Sequence, residues 1–152
     1  MTLIQPDNRP IGRYTYVLCE AWNNSGVTVP GGFINDGGSV PRFAWSLTGL
    51  TPDGPGRAAW VMHDYLYRFS IGARLEADRE MRRLLRAAGV NAVQAGIAYA
   101  AVRVGGARHF GRAVPPKHDK PDELIEEIID LHEAGVLDSL SAAFAFEMIS
   151  KF

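Results

Sequence analysis

The segment AAWVMHDYLYRF, residues 58 to 69, sets the adjacent pair His63 and Asp64 in a run that is otherwise almost wholly apolar. An imidazole can take or give a proton near neutral pH or bind a metal, and a carboxylate can orient that ring or supply hard oxygen ligands. Two further acids stand in similar settings, Asp36 in the turn NDGG and Asp78 in LEADREM. On a helix, Asp78 follows Leu75 by three residues, precedes Met81 by three and Leu85 by seven, so it falls on the apolar stripe. His63 is four residues from Ala59 and from Tyr67 and shares their stripe, while Asp64 points about 100° away, toward Arg68 or the Asp36 turn.

An unsatisfied buried polar group costs about 1–3 kcal/mol and an unpaired charge more, so Asp36, His63, Asp64 and Asp78 should satisfy one another or a ligand. Two arrangements fit. In the first, His63 and Asp78 are catalytic, with His63 as general base, and Asp36, His63 and Asp64 hold a divalent metal ion. In the second the four form a structural network, with Asp36 capping the N–H groups of its glycine turn and Asp78 accepting from His63 or Tyr67. The chain has no H-E-x-x-H, no G-x-S-x-G, no P-loop and no dinucleotide fingerprint. Cys19 lies in a strand-like run and is expected in the core.

The elements that must position these groups are punctuated clearly. Tyr14 to Leu18, Val27 to Val29 and Phe33-Ile34 have strand composition, separated by turns at Asn23 to Gly26 and Gly31-Gly32, which predicts a small antiparallel sheet. Ser39 is expected to cap a short helical piece reaching Ser46. Helices are expected over 56–69, 75–88 and 91–104, bounded by Gly89, Asn91 and Gly105-Gly106. The segment PPKHDKP marks a linker, and two further helices follow on either side of Gly135. The fold class is therefore α+β: a small antiparallel sheet, a three-helix core and a C-terminal helical hairpin. The expected domains are 1–114, a linker over 115–121 and a helical appendage over 122–152.

The chain has 152 residues, formal net charge −1, 47% apolar and 22% charged residues, which suits one compact domain and offers no polybasic field for nucleic acid. One cysteine excludes an internal disulfide and a multi-cysteine zinc cage. No window approaches the roughly 18 apolar residues of a membrane span, and the N-terminus lacks signal-peptide character, so synthesis in the cytoplasm is expected, which the resemblance described next would make that of a bacterial host.

The blocks GGFINDGGSVPRFAW, GRAAWVMHDYLYR, LEADREMRRLLRAAGV and AGIAYAAVRVGG, in this order, resemble the phage and prophage family called domain of unknown function 1353, over residues 10 to 106. The resemblance implies that Asp36, Gly37, Ser39, Pro41 and Arg42, then His63, Asp64, Leu66 and Tyr67, then Asp78 hold family positions, with Gly37, Ser39, Arg42 and Tyr67 as turn and anchor residues. Asn35 and Gly38 depart from the usual threonine and alanine. The tail, ELIEEIIDLHEAGVLDSLSAAFAFEMI, resembles a short helix pair called SHOCT, which implies association. The His-Asp pair, a tyrosine shortly after it and a glycine loop upstream are also similar to the calcium-dependent secreted phospholipases, whose disulfides are missing here.

Two functions are expected from this. One is a tailed-phage or prophage accessory or structural protein, associated with the virion tail or head–tail region, contacting other phage proteins or itself through 122–152. The alternative is a small metal-assisted hydrolase with a His-Asp site, acting on peptidoglycan or membrane lipid. A divalent ion is the one cofactor in view, and nucleic acid is not an expected partner.

Overall fold

The computed structural model describes residues 2–36, 48–51, 53–112 and 120–151. It has the expected α+β arrangement, strands first and helices after. The strands are β1 (Asn8–Gly12), β2 (Thr15–Leu18), β3 (Trp22–Asn24), β4 (Val27–Val29) and β5 (Ile34–Asn35). The helices are α1 (Arg57–Arg68), α2 (Arg74–Ala87), α3 (Ala92–Gly105), α4 (Pro121–Glu133) and α5 (Ser139–Ile149). The contacts divide the chain into two compact units, Pro6–Asp36 with Val114–Phe152, and Met1–Gln5 with Gly37–Ala113.

In the first unit, β2 lies between β1 and β5, both antiparallel to it. The aromatic and β-branched run Thr15 to Leu18 is buried at every position, which suits a central strand covered on both faces. Strand β1 was not expected; Pro10, which removes a ladder donor, is tolerated there because β1 is an edge strand paired with β2. Asn8 and Asn35, both buried, exchange side-chain amide hydrogen bonds of 3.1 and 2.8 Å. Strands β3 and β4 form a separate hairpin. Its two-residue turn, Ser25-Gly26, has φ of 53° and 78°, the doubly positive pattern that matches the twist of a tight hairpin, so the strand begins where a turn at Asn23 was expected.

Helices α4 and α5 pack on each other, α4 on β1 and α5 on β5. The C-terminal helices thus share a unit with the sheet, a grouping that differs from the sequential division at the proline-marked segment, most of which lies outside the described residues. The reason is local. The Ile34 N–H of edge strand β5 donates to the Met148 thioether at 3.3 Å, and the turn before it is Gly31-Gly32, where a Cβ would strike Ser141 of α5. Leu124, Ile128, Leu137 and Ala145 of the helical pair and Val17, Leu18, Phe33 and Ile34 of the sheet region are all buried in this unit. Asp138 caps α5 by accepting from Ser141 N–H at 2.7 Å, and Pro121 opens α4.

In the second unit α1 packs on α2 and α2 on α3. The buried faces are aliphatic and aromatic, with Trp60, Val61, Met62, Met81, Leu84 and Leu85 all at or below 2% exposure. Helix α1 has no side-chain cap of its own. Gln5 supplies one from far along the chain, accepting from Ala58 N–H at 3.0 Å and donating to the Pro55 carbonyl at 2.9 Å. Asn91 caps α3 by accepting from Gln94 N–H at 2.9 Å.

Gly32 and Gly26 both have positive φ, but a Cβ at Gly26 would meet open space, whereas at Gly32 it would meet the Ser141 backbone. Gly26→Ala should therefore lose about 1 kcal/mol, the backbone term alone, and Gly32→Ala at least about 2 kcal/mol more as α5 is displaced. Urea unfolding of the two variants measures the difference; equal losses would show that the α5 contact does not bear on stability.

A buried carboxylate joining three helices

Asp78, with no exposed surface, is the centre of the second unit. Its Oδ1 accepts from His63 Nε2 at 2.8 Å and from the Tyr67 hydroxyl at 2.6 Å. Its Oδ2 accepts from Arg103 Nη1 at 2.7 Å, with Arg74 Nη1 at 3.8 Å. His63 and Tyr67 come from successive turns of α1, Arg74 and Asp78 from successive turns of α2, and Arg103 from the last turn of α3. Helical periodicity dictates this geometry, since each same-helix pair is separated by four residues.

The remaining contacts hold the donors in place. The His63 and Tyr67 rings lie 4.1 Å apart between centroids, and Phe110 meets the Tyr67 ring edge-on at 5.2 Å. At Gly106 a Cβ would come within 2.7 Å of the Tyr67 hydroxyl, so the absence of a side chain there admits the phenol. Arg74 also donates to the Arg103 carbonyl at 3.1 Å, near the negative end of the α3 dipole.

Burial by itself would push the Asp78 carboxyl up, but the hydrogen bonds from His63, Tyr67 and Arg103 outweigh it and hold Asp78 below its ordinary value. Burial, then the bond to Asp78, pushes the Tyr67 phenol well above its own, so it remains a donor throughout the neutral range. With Asp78 ionised, the proton between it and His63 resides on Nε2, and in the neutral ring Nδ1 then carries the lone pair. That nitrogen has no hydrogen-bond partner among the described residues. The arrangement orients an imidazole, fixes its tautomer and can stabilise its protonated form.

Two sequence-derived candidates, His63 and Asp78, are thus in direct contact, with Tyr67 beside them. The expected metal residues have the following surroundings. Asp64 forms a buried ion pair with Arg68 at 3.0 Å, and His63 is engaged by Asp78. Among the described residues no group of three or more His, Cys, Asp and Glu is placed to hold a metal ion. Gly37, Ser39 and Arg42 lie outside the described residues. Cys19 is buried as expected, and burial pushes its thiol up to about 11, which leaves it a poor nucleophile.

Sequence reasoning missed Arg74, Arg103, Gly106 and Phe110. Arg74 carried a signal, its spacing of four residues from a carboxylate already placed on the apolar stripe. Arg103 carried another, as the sole charged side chain in AVQAGIAYAAVRVG.

The family model for a protein of unknown function, DUF1353, matches residues 14–102, more than half of the chain. The chain belongs to the DUF1353 family. The match spans His63, Tyr67, Arg74 and Asp78, and ends one residue before Arg103. Comparison with curated proteins and with solved structures gives no match.

A depressed folded-state value means that Asp78 contributes stability above the unfolded aspartate pKa of about 3.9, and that the contribution is lost as pH falls through the lower folded value. Asp78→Asn should cost about 1–3 kcal/mol at pH 7, because the buried donors of His63 and Tyr67 lose their charged acceptor. Urea titrations from pH 7 down to pH 3 should show the gap between wild type and variant narrowing below about pH 4. A gap independent of pH would mean that Asp78 is not a stabilising carboxylate.

Proposed function

We propose that this DUF1353 protein is a small hydrolase in which His63 is the general base. The observation that supports this is a buried imidazole held through Nε2 by an ionised, buried carboxylate, with Nδ1 without a partner among the described residues. In the reaction, Nδ1 takes a proton from water and the resulting hydroxide attacks the carbonyl carbon of an ester. The tetrahedral intermediate then expels the alkoxide, which receives the proton from Nδ1. Asp78 holds the ring and stabilises the imidazolium between these two transfers.

A carboxylic ester is favoured over the amide and glycosidic bonds of peptidoglycan on chemical grounds. An imidazole acting on water can cleave an ester whose alkoxide leaves readily, whereas an amide needs stronger electrophilic help. Membrane phospholipid is the corresponding envelope substrate, and the likeness of His63, Asp64 and Tyr67 to the secreted phospholipases agrees with it. A divalent ion, if used, would need ligands beyond the His63–Asp78 pair.

A second reading, contact with other phage proteins in the virion or with a second copy, is favoured by the surface of the helical pair. Ile125 and Ile129, four residues apart on α4, and Leu140 on α5 are exposed among acidic neighbours. The two readings concern different units of the chain and are compatible.

Wild-type protein should release fatty acid from phospholipid vesicles or from a short-chain ester, assayed with and without calcium. His63→Gln should lower the rate by about 10²-fold or more while circular dichroism and thermal unfolding show a retained fold. No turnover by wild type on either substrate, or undiminished turnover by a folded His63→Gln variant, would refute the proposal.

A further inference from the structure

Helix α2 carries a second feature, independent of the Asp78 network. Arg79, Arg82, Arg83 and Arg86 follow the spacing of one exposed stripe, i, i+3, i+4 and i+7, and with Tyr99 of α3 they line a groove of about 500 Å³. Like charges three and four residues apart destabilise a helix, so the stripe works against the fold that carries it. Glu80 offsets part of it, binding Arg83 through contacts of 2.8 and 2.6 Å. Arg79, Arg82 and Arg86 have no carboxylate partner among the described residues.

The guanidinium groups are also held in place. Arg82 lies over the Tyr99 ring, 5.6 Å from its centroid, and Arg86 donates to the Val90 carbonyl at 2.7 Å across the end of the helix. Each retains further N–H donors, and the planar fork of a guanidinium suits two oxygens of one phosphate. The four arginines and Glu80 leave three net positive charges within about 10 Å of helix.

We propose that this groove binds a small solute carrying a pair of phosphate groups. Its charge matches such an anion, and its volume falls in the range of about 300–1,000 Å³ typical of small-ligand sites. A long polyanion is disfavoured because the chain as a whole has net charge −1 and the positive charge is local. A flat anionic membrane would engage a protruding surface rather than a concave one.

The test is calorimetric titration of the intact protein with inorganic pyrophosphate at constant ionic strength, beside a double variant, Arg82→Gln with Arg86→Gln, and a control, Arg108→Gln. Wild type and control should bind with the same affinity, and the double variant at least tenfold more weakly. The double variant should fold, since the change relieves repulsion, and pyrophosphate should raise the melting temperature of wild type but not of the variant. No binding at constant ionic strength would overturn the proposal, as would equal binding by the double variant. So would binding confined to anionic lipid vesicles or single-stranded DNA, with none to pyrophosphate.

Discussion

A carboxylate with no exposed surface must be paid for by its neighbours, and the three-helix unit is organised around that requirement. Asp78 draws a histidine and a tyrosine from α1 and an arginine from α3, and each partner answers a different need. Arg103 supplies a permanent counter-charge, which adds to the hydrogen bonds from His63 and Tyr67 in keeping the group ionised. Tyr67 occupies a lone pair that burial would otherwise leave unsatisfied, and His63 takes the remaining direction on the same oxygen. Remove the charge of Arg103 and the carboxylate would tend to protonate; remove the carboxylate and two helices lose the group toward which they both point.

One interaction therefore serves structure and chemistry together. The bond that fastens α1 to α2 also decides which nitrogen of His63 carries a proton. Here the acceptor is an ionised acid whose other oxygen is already taken by a guanidinium, so the tautomer is fixed by electrostatics. The first unit follows a different logic, in which glycine admits helix α5 to the edge of the sheet and a thioether covers an edge N–H.

Much of this was legible in the sequence because it rests on periodicity and punctuation. Asn91, Pro121 and Asp138 mark helix starts, and the expected helix boundaries agree with the observed ones to within a few residues. The position of Asp78 on an apolar stripe was sufficient to infer a buried carboxylate with a histidine or tyrosine partner. What the sequence did not disclose was non-local. Nothing near Pro10 announces that β1 is an edge strand, and nothing near Gly31-Gly32 announces that α5, more than 100 residues later, rests on that turn. Arg103 as counter-charge required knowing that α3 returns beside α2. Adjacency of His63 and Asp64 in sequence likewise does not make them partners, because neighbours on a helix turn to different sides, here to Asp78 and to Arg68.

The central claim is that an ionised Asp78 fixes the proton of His63 on Nε2. The direct measurement is ¹⁵N-edited NMR of the histidine side chains in wild type and in Asp78→Asn, at a pH where the ring is neutral. The account predicts a protonated Nε2 and an unprotonated Nδ1 for His63 in wild type, with that preference lost in the variant. A wild-type His63 protonated on Nδ1, or a tautomer unchanged by the substitution, would contradict it.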